Sequence, residues 1–104
     1  MTTTDRVIID DRALISWHYL PPASREQIHA TLTSLAESAP AQWSRDLIEP
    51  WRPAEDLYAL HTHVDADHLL VFFRPEGSSI RLLDMVLKET IDRYFTPKNG
   101  AKSA

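Results

Sequence analysis

Three histidines lie within eight residues of the chain, at His61, His63 and His68. Side chains alternate between the faces of a strand, so His61 and His63 share a face, and a hairpin at residues 65 to 67 brings His68 beside them. This spacing can chelate zinc, and a histidine near neutral pH can also transfer protons. The alternative is a set of polar side chains at a hairpin tip that meets water. We expect no bound metal and no cofactor, and we keep His68 as a candidate acid or base.

Basic side chains are concentrated in the last third of the chain. Residues 74 to 104 hold 6 basic and 4 acidic side chains, whereas residues 1 to 73 hold 5 basic and 11 acidic ones. Arg74, Arg81 and Lys88 fall near the ends or on the face of the last two predicted strands, where they can receive a phosphate or an acidic protein segment. On an exposed surface they would instead pair with carboxylates such as Glu76 and stabilise little. The basic excess is small, so nucleic acid is neither implied nor excluded.

Composition excludes several kinds of site. Two glycines in 104 residues are too few for a Walker loop or a dinucleotide fingerprint, because both need several positions without a Cβ. The absence of cysteine excludes disulfides, thiolate nucleophiles and cysteine-based zinc or iron–sulfur sites. The length fits one domain, which we place at residues 1–95, followed by a flexible tail at residues 96–104. No leader and no stretch long enough to span a membrane are evident, so we expect a cytoplasmic protein.

The first half of the chain is predicted to be mainly helical. A short β-branched strand at residues 6 to 9 precedes Asp10 and Asp11, whose side chains can cap a following helix. That helix ends at Pro21-Pro22, and a second begins with a capping box formed by Ser24 and Gln27. The second helix has about four turns and forms a helical hairpin with the first. Residues 41 to 56 read as a packed connector that contains a short helical turn, because two prolines interrupt the pattern there.

The second half is predicted to be three antiparallel strands and a helix. The strands span residues 57 to 64, 68 to 74 and 79 to 87, and a short helix covers residues 88 to 95. In the third strand, Ile80, Leu82, Asp84 and Val86 are expected on one face. The fold class is therefore α+β, with an N-terminal strand and a helical hairpin packed on an antiparallel meander sheet. The expected core consists of Ile28, Leu32, Leu35, Leu60, Leu69, Val71, Phe73, Leu82 and Val86.

In this order the motifs resemble the RelE/ParE superfamily, the toxin half of many bacterial type II toxin–antitoxin pairs. The resemblance covers residues 6 to 95. It is carried by Ala13-Leu14, Leu20-Pro21, Ile28, Leu32, Leu35, Leu57-Tyr58-Ala59-Leu60, Val71-Phe72-Phe73-Arg74 and Ile80-Arg81-Leu82-Leu83-Asp84. Toxins of the RelE type cut messenger RNA on the ribosome, and those of the ParE type inhibit DNA gyrase. The resemblance implies that an antitoxin wraps around the chain and holds it silent.

The ribonuclease positions of the resembling family transfer poorly to this chain. RelE-like nucleases often carry an arginine early in the strand that matches residues 69 to 74, where this chain has Leu70; only Arg74 matches the second arginine. A Gly-His-Arg-like stretch after the last strand is replaced by Val86-Leu87-Lys88. Leucine can neither donate a proton nor hold a phosphate. The remaining catalytic candidates are Arg74, Arg81, Lys88, Tyr94 and His68, with Arg93, His61 and His63 as substitutes.

Two functions follow from the resemblance. The first is a toxin-like component of a type II toxin–antitoxin system, which acts on translation through messenger RNA cleavage, or on another essential target, and is neutralised by an antitoxin. If active, it would be a ribosome-dependent endoribonuclease in which several of the family's ribonuclease positions are replaced. The second is a catalytically silent protein-interaction module, or a homodimer, on the same fold. The partners expected are an antitoxin, the ribosome with messenger RNA, or a second copy of the chain, and not a membrane.

Overall fold

The computed structural model describes residues 6 to 95, without the side chains of Pro53, Tyr94 and Phe95. The tail predicted at residues 96–104 lies outside this range. In chain order the elements are β1 (Val7–Ile9), α1 (Leu14–Tyr19), α2 (Pro22–Ala36), β2 (Ile48–Arg52), β3 (Leu57–Val64), β4 (Asp67–Glu76), β5 (Ser79–Leu87) and α3 (Lys88–Phe95). Short 3-10 turns precede α1, β2 and β3. Within the described range, no helix is both long and apolar enough to cross a membrane.

The five strands form one sheet in the order β1-β5-β4-β3-β2. Strands β2 to β5 are antiparallel neighbours, and β1 pairs with β5 in parallel, so the sheet is mixed. The predicted α+β class, with its N-terminal strand, helices, meander and short C-terminal helix, is confirmed. The connector prediction was incomplete, because β2 forms an edge strand at Ile48–Arg52 although it contains Pro50. Proline is tolerated there since an edge strand has one side without ladder bonds.

The helix starts follow local backbone chemistry. The carboxylate of Asp10 accepts a hydrogen bond from the backbone N–H of Arg12 at 3.2 Å, as predicted for a cap. The predicted capping box at Ser24 is wrong, because α2 already begins at Pro22. Proline at the first helical position has a suitable φ and lacks an N–H that would have no partner there. Helix α2 has 15 residues, which matches the predicted four turns.

The sheet has a helix-covered face and a second face. The main core lies on the helix-covered face, where α1 and α2 pack, and it includes Ile28, Leu32, Leu60, Leu69, Val71, Phe73 and Leu82. Leu35 is partly buried against the same core. A smaller cluster on the second face consists of Ala59, Leu70 and Phe72, with Trp51, Leu57, Val86 and Ile91 packed against it. Helix α3 thus covers part of the second face through Ile91.

A bulge in β5 changes which side chains face the core. Phe73 pairs with Leu82 and Phe72 with Asp84, so Leu83 is an extra residue between them. An extra residue reverses the alternation of side chains beyond it. Met85 therefore joins the main core, and Val86 lies on the second face instead of beside Leu82 as predicted.

Candidate functional site

The histidine cluster, defined as His61, His63 and His68, lies on the second face at the β3–β4 hairpin. His63 and His68 are directly opposite each other in the β3–β4 ladder, and His61 pairs with Leu70. The ring centroids are 4.7 Å apart for His63 and His68 and 5.1 Å apart for His61 and His68. The sequence prediction that the hairpin brings the three rings together is therefore confirmed.

One short hydrogen bond lies within the cluster, and a second joins the cluster to the edge strand β2. Nδ1 of His61 lies 2.9 Å from Nε2 of His68, and Nε2 of His61 lies 2.9 Å from Oε1 of Glu49 on β2. A carboxylate can only accept, so the Nε2–H of His61 donates to Glu49. In neutral His61, Nδ1 then carries no proton and accepts the Nε2–H of His68. The three side chains form a hydrogen-bonded chain across β2, β3 and β4.

The surroundings of His68 disfavour its charged form. Burial lowers the pKa of His68, and the neighbouring His61, His63 and Lys88 lower it further, whereas Asp92 acts in the opposite direction. A histidine with a lowered pKa is neutral over more of the physiological range and can accept a proton there. His68 is therefore available as a proton acceptor in its neutral form.

Lys88 lies near the histidine cluster but is already engaged. Its ammonium group is 2.9 Å from both carboxylate oxygens of Asp92, one turn later in α3. Arg93 likewise pairs with Glu89 at 3.4 Å. Tyr94 belongs to α3, and its side chain lies outside the described part of the structure. Both cations of the helix are thus paired with carboxylates, which weakens their attraction for a phosphate.

The two arginine candidates lie at the other end of the sheet. Arg74 and Arg81 are paired in the β4–β5 ladder. Arg74 is six positions after His68 along β4, which corresponds to about 20 Å at the rise of a strand. The predicted catalytic set is therefore divided into a histidine end and an arginine end, and the structure does not bring its members together around one point.

Each arginine has its own partners. Arg81 binds Glu76 through two hydrogen bonds of 2.8 and 3.0 Å, and its Nη1 also donates to Asp10 at 3.3 Å. Arg74 donates from Nη2 to the backbone carbonyl of Glu55 at 3.2 Å. Its buried Nε finds no hydrogen-bond partner among the described atoms. The salt-bridge interpretation of the sequence is thus observed for Arg81 with Glu76, and Arg74 keeps one unused donor.

An apolar groove lies on the second face between the two ends. It has a volume of about 360 Å³, and its charged lining residues are Arg12, Arg52 and Asp84. Its floor and walls include Trp51, Phe72, Val86 and Ile91. The rings of Trp51 and Phe72 meet edge to face with centroids 5.0 Å apart. Trp43 is buried in the main core, so both tryptophans of the predicted connector are packed.

Sequence reasoning missed Glu49 as a partner of the histidine cluster. The residue lies between Ile48 and Pro50 in the segment that was assigned to a connector. Only the pairing of Glu49 with Ala59 in the β2–β3 ladder brings its carboxylate to His61. Across residues 6 to 95, no three His, Cys, Asp or Glu side chains are arranged to hold a metal ion.

Comparison with known proteins identifies a similar fold. No protein-family model matches the chain, and no curated protein matches it by sequence. Among solved structures, a chain in the crystal structure of the intact E. coli RelBE toxin–antitoxin complex is similar, with a TM-score of 0.52 and 18% identity. The match covers 79% of this chain and 94% of that chain. The chain therefore has a RelE-like fold, as the sequence resemblance implied.

Proposed function

We propose that the chain is the toxin-like component of a toxin–antitoxin pair and that a bound antitoxin holds it silent. The observation that carries this proposal is the similarity of its fold to a chain of the RelBE toxin–antitoxin complex over 79% of its length. Fold alone does not define function, so the surfaces of the chain have to provide a place for the partner.

Two surfaces are suited to an antitoxin segment. On α1, Ile15 and Tyr19 are 72% and 84% exposed, and Leu14 beside them is also exposed. Large apolar side chains grouped on a short helix are typical of a protein-binding surface. The groove around Trp51 and Phe72 has a largely apolar lining, and its two arginines are paired with Asp10 and Glu55, so it suits a peptide that binds mainly through apolar side chains.

The proposed action on the cell is inhibition of translation or of another essential target, with messenger RNA cleavage weak or absent. Phosphodiester cleavage needs cations and proton-transferring groups around one phosphate. Here the histidine and arginine ends are separate, and Arg81 and Lys88 are neutralised by carboxylates. Leu70 and Leu87 supply neither charge nor proton at two positions where the resembling nucleases often have them.

The same ion pairing favours a second candidate function, a catalytically silent interaction module or homodimer on this fold. It differs from the first in one respect, because it requires a stable partner but no inhibitory effect on growth.

Co-expression with the product of an adjacent short open reading frame tests the proposal. The tagged chain is expected to co-purify with that product in a fixed ratio. Replacing Ile15 and Tyr19 with Asp should weaken the association, because two charges would enter the exposed apolar surface. The control Ala41→Asp, at an exposed position after α2, should leave it unchanged. A chain that purifies alone as a homodimer, with no association, would favour the silent module.

A further inference from the structure

The hydrogen-bonded chain from Glu49 to His68 can hold a limited number of protons. With both rings neutral, His68 donates to His61 and His61 donates to Glu49. With one extra proton, His61 can donate from both nitrogens, and Nε2 of His68 becomes the acceptor. With two extra protons, the facing atoms Nδ1 of His61 and Nε2 of His68 both carry hydrogen at a separation of 2.9 Å. That state has no acceptor between the rings and places two positive charges in contact.

Other charged groups around the two rings determine how readily His61 and His68 take up extra protons. His63 faces His68 from β3, and Lys88 with its partner Asp92 faces it from α3. On the β2 side, Arg45 and Asp46 line the same cavity as the histidines. The carboxylates of Glu49 and Asp92 favour protonation, whereas Lys88 and a protonated His63 oppose it. Within residues 6 to 95, only Glu49 is hydrogen-bonded directly to the pair, so it determines which nitrogen of His61 carries the proton.

We propose that Glu49, His61 and His68 form a pH-sensitive link across β2, β3 and β4, closed while the histidine pair carries at most one extra proton and open when it carries two. The link acts where the edge strand joins the sheet. The backbone N–H of His61 also donates to the carbonyl of Leu47 at 2.8 Å, directly before β2. Opening separates His68 from His61 and loosens this edge of the second face.

The link borders a cavity of about 510 Å³ that runs from Arg45 to Pro50 and ends at the three histidines. When the link is closed, the two rings are held together at one end of this cavity. When it opens, His68 leaves His61 and the end of the cavity gains positive charge. Acidification therefore changes both the shape and the charge of the second face, on a part of the molecule separate from the arginine end.

Ring nitrogens observed by NMR in the intact chain between about pH 5 and pH 8 test the proposal, since histidine titrates in this range. At the upper end, His61 and His68 are both expected as Nε2–H tautomers. His68 should accept its proton at a lower pH than the histidines of the urea-unfolded chain. Loss of exchange protection at the amide of His61, relative to the amides of the α2 core, should accompany the second protonation.

Variants distinguish the effect of the link from a general effect of charge on the second face. Glu49→Gln should remove the tautomer preference of His61, because an amide can both donate and accept. His68→Asn should abolish the pH dependence at the His61 amide, and His63→Asn, the matched control on the same face, should retain it. If a variant does not fold, the tautomers of His61 and His68 in the wild-type chain still test the proposal. Mixed tautomers at both rings, or a pH dependence that disappears with a metal chelator, would overturn the proposal.

Discussion

The guanidinium of Arg81 on β5 donates to the carboxylate of Asp10, which is 71 residues earlier in the chain, at 3.3 Å. The same carboxylate caps the turn before α1. Arg81 thereby ties the end of β1 to the central part of the sheet while it also binds Glu76 at the β4–β5 turn. Arg81, a candidate phosphate ligand in the sequence, is therefore held in a structural network.

This network predicts a loss of stability in acid. The hydrogen bond from Arg81 lowers the pKa of Glu76 below its ordinary value of 4.5, and the backbone N–H of Arg12 lowers that of Asp10 below 3.8. A carboxylate with a lowered folded-state pKa stabilises the fold above its unfolded pKa, and this stabilisation disappears as the pH falls through the folded value. Urea unfolding at a series of acidic pH values should show the decline, and Glu76→Gln should make it shallower. An equally steep decline in Glu76→Gln would contradict the assignment.

The main core predicts that truncating a buried apolar side chain lowers the free energy of unfolding far more than truncating an exposed one. Truncating the fully buried Leu32 or Val71 to Ala should lower the free energy of unfolding by about 2 to 4 kcal/mol, because packed cores do not close the cavity that is left. Ile15→Ala, on the exposed side of α1, should change it by less than about 0.5 kcal/mol. Chemical denaturation measures all three. Losses below about 0.5 kcal/mol at both buried sites would refute this core.

Much of this core could be predicted from periodicity. The four-turn helix and the three long strands have apolar patterns that depend only on local geometry. Strand β2 was not predicted, because Pro50 and Pro53 interrupt the apolar alternation of this segment. Its strand conformation depends on pairing with β3. The bulge at Leu83 is likewise set by the partner strand, so the reversed position of Val86 had no sequence signal.

The histidine cluster was predictable in outline, because alternation along β3 and a short turn suffice to bring the rings together. Its partner Glu49 was not, since it reaches His61 only through the unpredicted strand. The separation of the histidine and arginine ends follows from the length of β4. The ion partners of Arg81 come from its own hairpin and from the N-terminal part of the chain. Sequence spacing does not reveal such partners.

Metal removal should leave the fold unaffected. The main apolar core already joins α1, α2 and the sheet, and the histidines lie on the other face of the sheet. A chelator is therefore expected to leave the melting temperature unchanged, because no bound metal contributes to folding. Differential scanning calorimetry with and without EDTA provides the measurement. A large decrease on chelation would assign the histidine cluster a structural metal instead.

Transcripts in cells that express the chain should stay largely intact. Any residual growth effect that depends on phosphate binding should disappear in the Arg74→Ala, Arg81→Ala double variant, since removing one such donor typically costs on the order of a hundredfold in rate. Sequencing of RNA 5′ ends after induction measures cleavage. Efficient cleavage that persists unchanged in the double variant would contradict both the weak activity and the choice of these arginines.

Growth after induction tests the central claim most directly. Expression of the chain alone should arrest growth, and co-expression of the product of the adjacent short open reading frame should restore it, because the partner would cover the exposed surface of α1 and the groove beside Trp51. The control is the same pair with Ile15 and Tyr19 replaced by Asp, in which rescue should be weaker. Normal growth of cells that accumulate the folded chain alone would contradict a toxin-like function.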